Sequence, residues 1–182
     1  VSLWMKEDGT QPDSPWAAFL GEGLDNPSYM RDQSFQVLRA SNGRIRWKCE
    51  RDNDPNMSGD STLWYLNGSD GPDTRDGKWH HIVGTYDATL GHAIYIDGLQ
   101  RVFSPGTGLI NDPGDGVGIM VGAKDHEEIN GQLTGDPKHF FFGWLDEIVV
   151  YDRALTPAEI DLIYRQGVIV EGDLNGDGVL DN

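Results

Sequence analysis

The acidic C-terminal segment has the residue types and the spacing of a calcium-binding loop. Oxygen-bearing residues alternate around a glycine, and they are Asp173, Asn175, Asp177, Val179 (through its carbonyl) and Asp181. Calcium is a hard cation that takes six to eight oxygen ligands, and Gly178 falls where such a loop turns sharply. We therefore expect calcium as a cofactor. The bidentate acid of a full loop would lie beyond Asn182, so we expect a truncated loop and a chain that is one piece of a longer protein.

Catalytic side chains are not recognisable by motif. Glycosidases need two carboxyl groups on either side of the scissile bond, but Asp146 and Glu147 are adjacent and would point to opposite faces of a strand. His80 and His81 are also consecutive, which favours structural roles, with one half-buried and the other exposed. The sequence has no GxSxG nucleophile elbow, phosphate loop or CxxC pair. We expect a protein that is not an enzyme; the alternative is a polysaccharide-active enzyme with unrecognised catalytic residues.

Aromatic residues near predicted loops are the candidates for carbohydrate binding. Sugar rings stack on exposed aromatic planes, and ligand sites are common on loops. The candidates are Trp16, Tyr29 and Trp64. For each of them a place in the core is the alternative, because a sandwich of this size must bury most of its six tryptophans.

The overall charge excludes some partners. The chain has 30 acidic residues against 14 Lys and Arg, a formal charge of −16, which repels nucleic acid and anionic membranes. It has no apolar run long enough to insert into a membrane. Against this background Arg44, Arg46 and Lys48 form a basic stripe on one predicted strand. That stripe would meet an acidic polysaccharide or a neighbouring subunit, or would be a solvated face balanced by local acids.

Alternating apolar and polar residues predict a protein built from strands. Asn42-Gly43 and Asp97-Gly98 are the strongest hairpin signals, because two-residue turns require positive φ. The segment Phe140–Tyr151 is the longest apolar strand and is expected to be central. The predicted strands are Val1–Lys6, Trp16–Leu20, Ser34–Ala40, Arg44–Arg51, Thr62–Leu66, Gly77–Asp87, His92–Ile96, Leu99–Ser104, Gly118–Ala123 and Phe140–Tyr151.

One segment near the C-terminus carries helix signals. Thr156 is a good N-cap, Pro157 fits the first helical position, and Glu159 completes a capping box. Gly167 fits the C-terminal cap. One short helix among about ten strands predicts an all-β fold, a two-sheet antiparallel sandwich with a C-terminal helix. Cys49, the single cysteine, is expected to be buried as a small apolar group.

Three blocks of sequence resemble a known family. WHHIVGTYD, IYIDG and GWLDEIVVYDRALTPAEIDLIYRQG occur in the order and at the spacing found in the laminin-G-like branch of concanavalin-A-like jelly rolls, and VSLWMK resembles an early strand of that family. The resemblance covers residues 1–167. Residues 168–182 resemble the start of a dockerin-type calcium repeat, a module of secreted bacterial polysaccharide-handling proteins. The alternative for this tail is disorder, because a loop without its strongest ligand binds calcium weakly.

The resemblance carries further implications. In the family a calcium ion often lies near the late-strand acid, which makes Asp146 a candidate metal ligand. The alternative is that Asp146 only hydrogen-bonds a neighbouring loop. One or two early strands of the family are missing before Val1, and the edge beside Phe140–Tyr151 is then expected to be covered by Val168–Val170 or by another polypeptide.

These observations lead to one preferred function and one further class. We expect a non-catalytic, extracellular or cell-surface recognition or adhesion module that binds a glycan or a surface protein and is stabilised by calcium. The alternative is a structural subunit of a cell-surface assembly, in which another chain completes the sheet edge.

Overall fold

The computed structural model describes residues 1–9, 16–23, 33–49, 64–67, 71–105, 119–123, 128–129, 132–133 and 139–170. In chain order the elements are β1 (Ser2–Glu7), β2 (Trp16–Gly23), β3 (Gln33–Ala40), β4 (Ile45–Cys49), β5 (Trp64–Asn67), β6 (His80–Asp87), β7 (Gly91–Ile96), β8 (Leu99–Pro105), β9 (Ile119–Val121), β10 (Glu128–Ile129), β11 (Gln132–Leu133), β12 (Gly143–Val149) and α1 (Pro157–Val170).

Ten of these strands form two antiparallel sheets of five. Sheet I has the order β12-β1-β6-β7-β8, and sheet II has the order β5-β4-β3-β2-β9. The remaining strands, β10 and β11, pair with each other. The predicted fold class, an all-β two-sheet sandwich with one short helix, is confirmed.

The core lies between the two sheets. Alternate residues of β1 and β6, such as Leu3, Met5 and Ile82, meet Val37 and Trp47 from sheet II, and all are at most 3% exposed. This burial follows from the strand period of two, which puts every second side chain on the same face. Cys49 belongs to the same cluster and is fully buried, as predicted. Burial raises the pKa of its thiol well above the usual value.

The two hairpin turns differ in geometry. Asp97 and Gly98 both have positive φ, 55° and 73°, which confirms the predicted two-residue turn between β7 and β8. In the Asn42-Gly43 hairpin only Gly43 has positive φ, at 75°. Its N–H donates to the carbonyl of Ala40 at 2.9 Å. That hairpin is therefore a longer turn closed by one left-handed glycine rather than a two-residue turn.

The helix begins as its sequence predicts. The N–H of Thr156 donates to Oε2 of Glu159 at 2.7 Å, and the N–H of Glu159 donates to Oγ1 of Thr156 at 3.3 Å. This reciprocal pair confirms the capping box. The predicted cap at Gly167 is wrong, because α1 continues to Val170. Gly167 instead lets Trp4 approach closely: a Cβ there would lie 2.2 Å from the indole ring.

The strand β12 lies at an edge and not at the centre of its sheet. It pairs with β1, and no other described strand pairs with it. The prediction of a central strand is therefore wrong. Val168–Val170 belong to α1 and do not cover this edge as a strand. Large apolar side chains beside the edge are exposed, among them Phe140 (48%), Phe142 (41%) and Trp144 (54%).

Candidate functional site

The outer face of sheet I is occupied by α1. Val83, Ala93 and Tyr95 on this face pack against Leu155 and Ile160 from the helix segment. A ligand therefore has no access to the middle of this face. The outer face of sheet II lies on the opposite side of the core from α1. Gln36, Leu38 and Lys48 on this face are at most 5% exposed, so a ligand can reach it only around the half-buried residues.

Strand register fixes which residues share the outer face of sheet II. Trp16 is opposite Ala40, Leu38 is opposite Arg46, and Gln36 is opposite Lys48. Their neighbours in sequence, such as Val37 and Trp47, point into the core. On the next strand, β5, Asn67 is opposite Arg46 and Tyr65 is opposite Lys48.

Trp16 and Arg46 form a stacked pair on this face. The guanidinium carbon of Arg46 lies 4.2 Å from the centroid of the Trp16 ring. The two residues are on β2 and β4 and meet across the intervening β3, where Ala40 is opposite Trp16 and Leu38 is opposite Arg46. Both side chains are half-buried, so the stack also keeps part of its surface accessible. A planar cation on an aromatic face is a strong recognition element for carboxylate and sugar groups.

The basic stripe is less solvated than its pattern predicts. Arg44 and Arg46 are half-buried and Lys48 is only 5% exposed, so the prediction of a wet outer face is wrong for this part of β4. The alternation of the strand gives the face of each residue correctly. It does not reveal how much of that face other parts of the protein cover.

The other predicted ligand-binding residues do not lie beside the Trp16–Arg46 pair in the described structure. Trp64 begins β5 and is in register with Cys49, a core residue, whereas Tyr65 and Asn67 are the residues opposite the cations. Tyr29 and the tail residues lie outside the described part of the chain; the tail residues are Asp173, Asn175, Asp177, Val179 and Asp181. The pairing of Arg46 with Trp16 was missed, because two residues far apart in sequence meet only through an intervening strand.

His80 sits between two carboxylates. Its Nδ1 lies 2.9 Å from Oδ2 of Asp97, and its Nε2 lies 3.1 Å from Oδ1 of Asp76. Burial alone would lower the pKa of His80, but the hydrogen bonds and charges of Asp97 and Asp76 outweigh it and raise the pKa. With both ring nitrogens facing acceptors, the imidazolium is the form that this geometry favours.

His81 points to the other face of the strand, as predicted, but it is also buried. Its ring is tilted against Trp4, with centroids 5.0 Å apart, and is stacked with Tyr164 of α1 at 6.1 Å. Burial lowers the pKa of His81 to about 4, so it is neutral at physiological pH. The structural roles predicted for the two histidines agree with these contacts, whereas the prediction that one of them is exposed is wrong.

Comparison with known proteins identifies the family. Residues 1–161 match the family model Laminin_G_3, described as Concanavalin A-like lectin/glucanases superfamily. The chain belongs to this family. The match includes both sheets and the first turn of the helix, so the laminin-G-like domain accounts for most of the described structure.

Solved structures share the fold of this laminin-G-like domain. The CBM40 domain of the Ruminococcus gnavus IT-sialidase is 15% identical, with a TM-score of 0.62, over 90% of this chain and 80% of that one. The same CBM40 has been solved bound to alpha2,3 sialyllactose. The binding domain of Paraclostridial Mosquitocidal Protein 1 is 17% identical, with a TM-score of 0.58, over 91% of this chain and 36% of that one.

Relatives by sequence are much longer proteins. The mouse (Mus musculus) Sushi, von Willebrand factor type A, EGF and pentraxin domain-containing protein 1 is 31% identical over 107 residues, which are 54% of this chain and 3% of that protein. Neuronal pentraxin-2 of Cavia porcellus is 27% identical over 106 residues, 54% of this chain and 23% of that protein. The laminin-G-like domain thus matches only a small part of these relatives.

The late-strand acid of the laminin-G-like domain has a local contact. Asp146 is exposed, and its Oδ1 accepts the N–H of Glu147 at 2.8 Å. Within the described ranges no three His, Cys, Asp or Glu side chains are grouped as a metal site. The role of Asp146 as a calcium ligand stays a prediction. No helix in the described part of the chain is both long and apolar enough to cross a lipid bilayer.

Proposed function

We propose that this chain is a non-catalytic, extracellular binding domain that recognises a glycan on the outer face of sheet II. The observation that carries this proposal is the stack of Arg46 on Trp16, 4.2 Å from the ring centroid, on the face opposite α1. The Trp16 ring positions the guanidinium, and a positioned planar set of donors can hold the carboxylate and hydroxyl groups of a sugar.

The chemistry of the face favours an acidic sugar. A guanidinium pairs with a carboxylate through two parallel hydrogen bonds, and the half-buried Arg44 lies on the same strand as Arg46. On a chain with a formal charge of −16, these cations would offset part of the repulsion that an anion meets. The CBM40 domain with the same fold has been solved with sialyllactose, an acidic glycan, which supports the proposal.

Glycan arrays with acidic and neutral glycans test the proposal. Trp16→Ala and Arg46→Ala are expected to weaken binding at least about tenfold, because Trp and Arg dominate the binding energy of such sites. Arg46→Lys keeps the charge but loses the planar fork, so it should restore only part of the affinity. Arg165→Ala is the matched control, since Arg165 is exposed on α1 and pairs with Asp161.

Two results would refute parts of this proposal. Binding that survives both Trp16→Ala and Arg46→Ala, in variants that melt like the unaltered protein, would place the ligand elsewhere and refute this assignment. Hydrolysis of a soluble polysaccharide by the unaltered protein would refute the non-catalytic function.

We also propose that calcium ions stabilise the domain. The tail residues Asp173, Asn175, Asp177, Val179 and Asp181, together with Asp146, are the proposed ligands of stabilising ions. An ion present at a hundredfold excess over its dissociation constant adds about 2.7 kcal/mol of stability. Thermal melting with calcium and with a chelator measures this effect. An unchanged melting temperature would remove the calcium from the proposal.

A second candidate function follows from the open edge of β12. We propose that a basic, extended strand of another polypeptide pairs with β12, as in a subunit of a larger assembly. Exposed Phe142 and Trp144 would supply apolar contacts, and the exposed acids Asp146 and Glu147 would attract its cations.

Amide hydrogen exchange and a substitution in β12 distinguish binding at this edge from binding at the proposed glycan face. The partner should protect β12 amides from hydrogen exchange, and Trp144→Lys should abolish its binding while leaving glycan binding intact. If a partner binds but the hydrogen exchange of the β12 amides stays unchanged, the partner does not pair with this strand and the proposal is contradicted.

A further inference from the structure

A cavity of about 320 Å³ opens at one side of the core, between the two sheets. Its inner wall is formed by Phe35 and Trp47 from sheet II and by Tyr86 from sheet I, and Tyr151 completes the wall after β12. The size is at the lower end of the range for small-molecule sites. Because Trp47 points inward and Arg46 outward, this cavity is separate from the proposed glycan face.

The aromatic wall is held in place. The indole N–H of Trp47 donates to the carbonyl of Thr85 at 3.1 Å. The ring also lies against Gly84, where a Cβ would come within 2.5 Å of it. Phe35 packs beside Trp47 with ring centroids 5.8 Å apart. These rings therefore need little reorganisation to receive a ligand.

The charge at the rim is negative. Asp152 is exposed at the mouth of the cavity. Arg153 also lines the cavity, but its guanidinium donates to both carboxylate oxygens of Glu159, at 3.0 and 2.6 Å, so its charge is locally balanced. Val1 also lines the cavity, and its backbone nitrogen donates to the carbonyl of Gly84 at 2.8 Å.

We propose that this cavity binds a methylated organic cation, such as a quaternary ammonium group, between its four aromatic residues and Asp152. Aromatic rings attract cations through their negative faces, most strongly when the cation sheds little water on entering. A small inorganic cation would lose its hydration against these walls, and an anion would be repelled by Asp152 and the net charge of the chain.

The test compares choline with its uncharged isostere, in which a tert-butyl group replaces the trimethylammonium group. Calorimetric titration of the full chain at constant ionic strength should show choline binding at least about tenfold more tightly than the isostere. Asp152→Asn and Tyr151→Leu should each weaken choline binding about three- to tenfold. Asp152→Asn should leave binding of the isostere unchanged.

Two variants outside the cavity serve as controls. Asp161→Asn removes a carboxylate of α1 that is 45% exposed and does not line the cavity, so choline binding should be unaltered. Trp16→Ala should also leave choline binding unaltered, because Trp16 belongs to the outer face of sheet II. Equal affinities for choline and its isostere, an absence of choline binding, or full choline affinity in folded Asp152→Asn would each overturn the proposal.

Discussion

The buried ion pair between Glu7 and Arg39 offers a sharp test of how the two sheets are held together. Glu7 ends β1 in sheet I and Arg39 is on β3 in sheet II, and each side chain is only 3% exposed. Nη2 of Arg39 donates to Oε1 of Glu7 at 3.3 Å. Nε and Oε2 lie 3.1 Å apart, but neither has an aligned hydrogen-bond partner within the described structure.

The pKa directions show that desolvation dominates at this pair. Burial raises the pKa of Glu7 despite the opposing charge of Arg39, and burial lowers the pKa of Arg39 despite Glu7. Each charge is therefore costly in this place, and each depends on the other.

Single and double substitutions should consequently behave in opposite ways. Glu7→Leu or Arg39→Met alone leaves a buried, unpaired charge, which costs about 3–5 kcal/mol. For a chain of this size that lowers the melting temperature by about 6–20 °C. The double variant removes both charges and keeps most of the packing volume, so its stability should be within about 1 kcal/mol of the unaltered protein, or higher.

Urea unfolding of the four proteins in a double-mutant cycle measures these energies. Asp161 and Arg165 provide the matched exposed pair, for which substitution should shift the melting temperature by less than about 3 °C. A double variant that is less stable than the unaltered protein by clearly more than about 1 kcal/mol would refute the reasoning, because the ion pair would then stabilise the protein on balance.

Three further predictions follow from other contacts. His80 has a raised pKa, so its ion pairs stabilise the protein fully below about pH 6.5 and are lost as pH rises through the raised value. The melting temperature should therefore fall more between pH 6 and pH 9 in the unaltered protein than in His80→Gln, and parallel curves would contradict this. Gly84→Ala would put a Cβ 2.5 Å from the Trp47 ring. Overpacking of this kind should lower the free energy of unfolding, measured with urea, by about 1–3 kcal/mol. An unchanged urea midpoint would show that Trp47 can move. Thr156→Ala removes the N-cap of α1 and should lower the stability of the protein by about 1 kcal/mol, whereas Thr156→Ser should lower it little. Equal losses of melting temperature in the two variants would argue against the cap.

Features set by neighbouring residues could be predicted from the sequence. The capping box of Thr156 and Glu159 and the turn at Asp97-Gly98 each depend on a few adjacent residues. The faces of β4 also follow directly from alternation, with Trp47 in the core and Arg46 outside. The two-sheet sandwich emerges from the sum of these local signals and from the three family-like blocks.

Features set by distant residues could not be predicted in the same way. Gly167 has the sequence signature of a cap, but Trp4, far away in the chain, is what requires a glycine there. The apolar run of Phe140–Tyr151 indicates burial, yet the strand order puts β12 at an edge. The proposed glycan site depends on Trp16 and Arg46, which are brought together by β3. Long-range pairing decides each of these positions, and a single sequence does not show it.

The stack of Arg46 on Trp16 has a consequence for how tightly a ligand could be held. A long, freely rotating cation loses conformational entropy when it grips a partner, and this loss weakens association. Here the pairing of three strands already brings the guanidinium to 4.2 Å from the Trp16 ring centroid, before a ligand of the proposed glycan site binds. At the proposed glycan site this would reduce the entropy lost on binding, and the gain in affinity would appear mainly as slower release of the ligand.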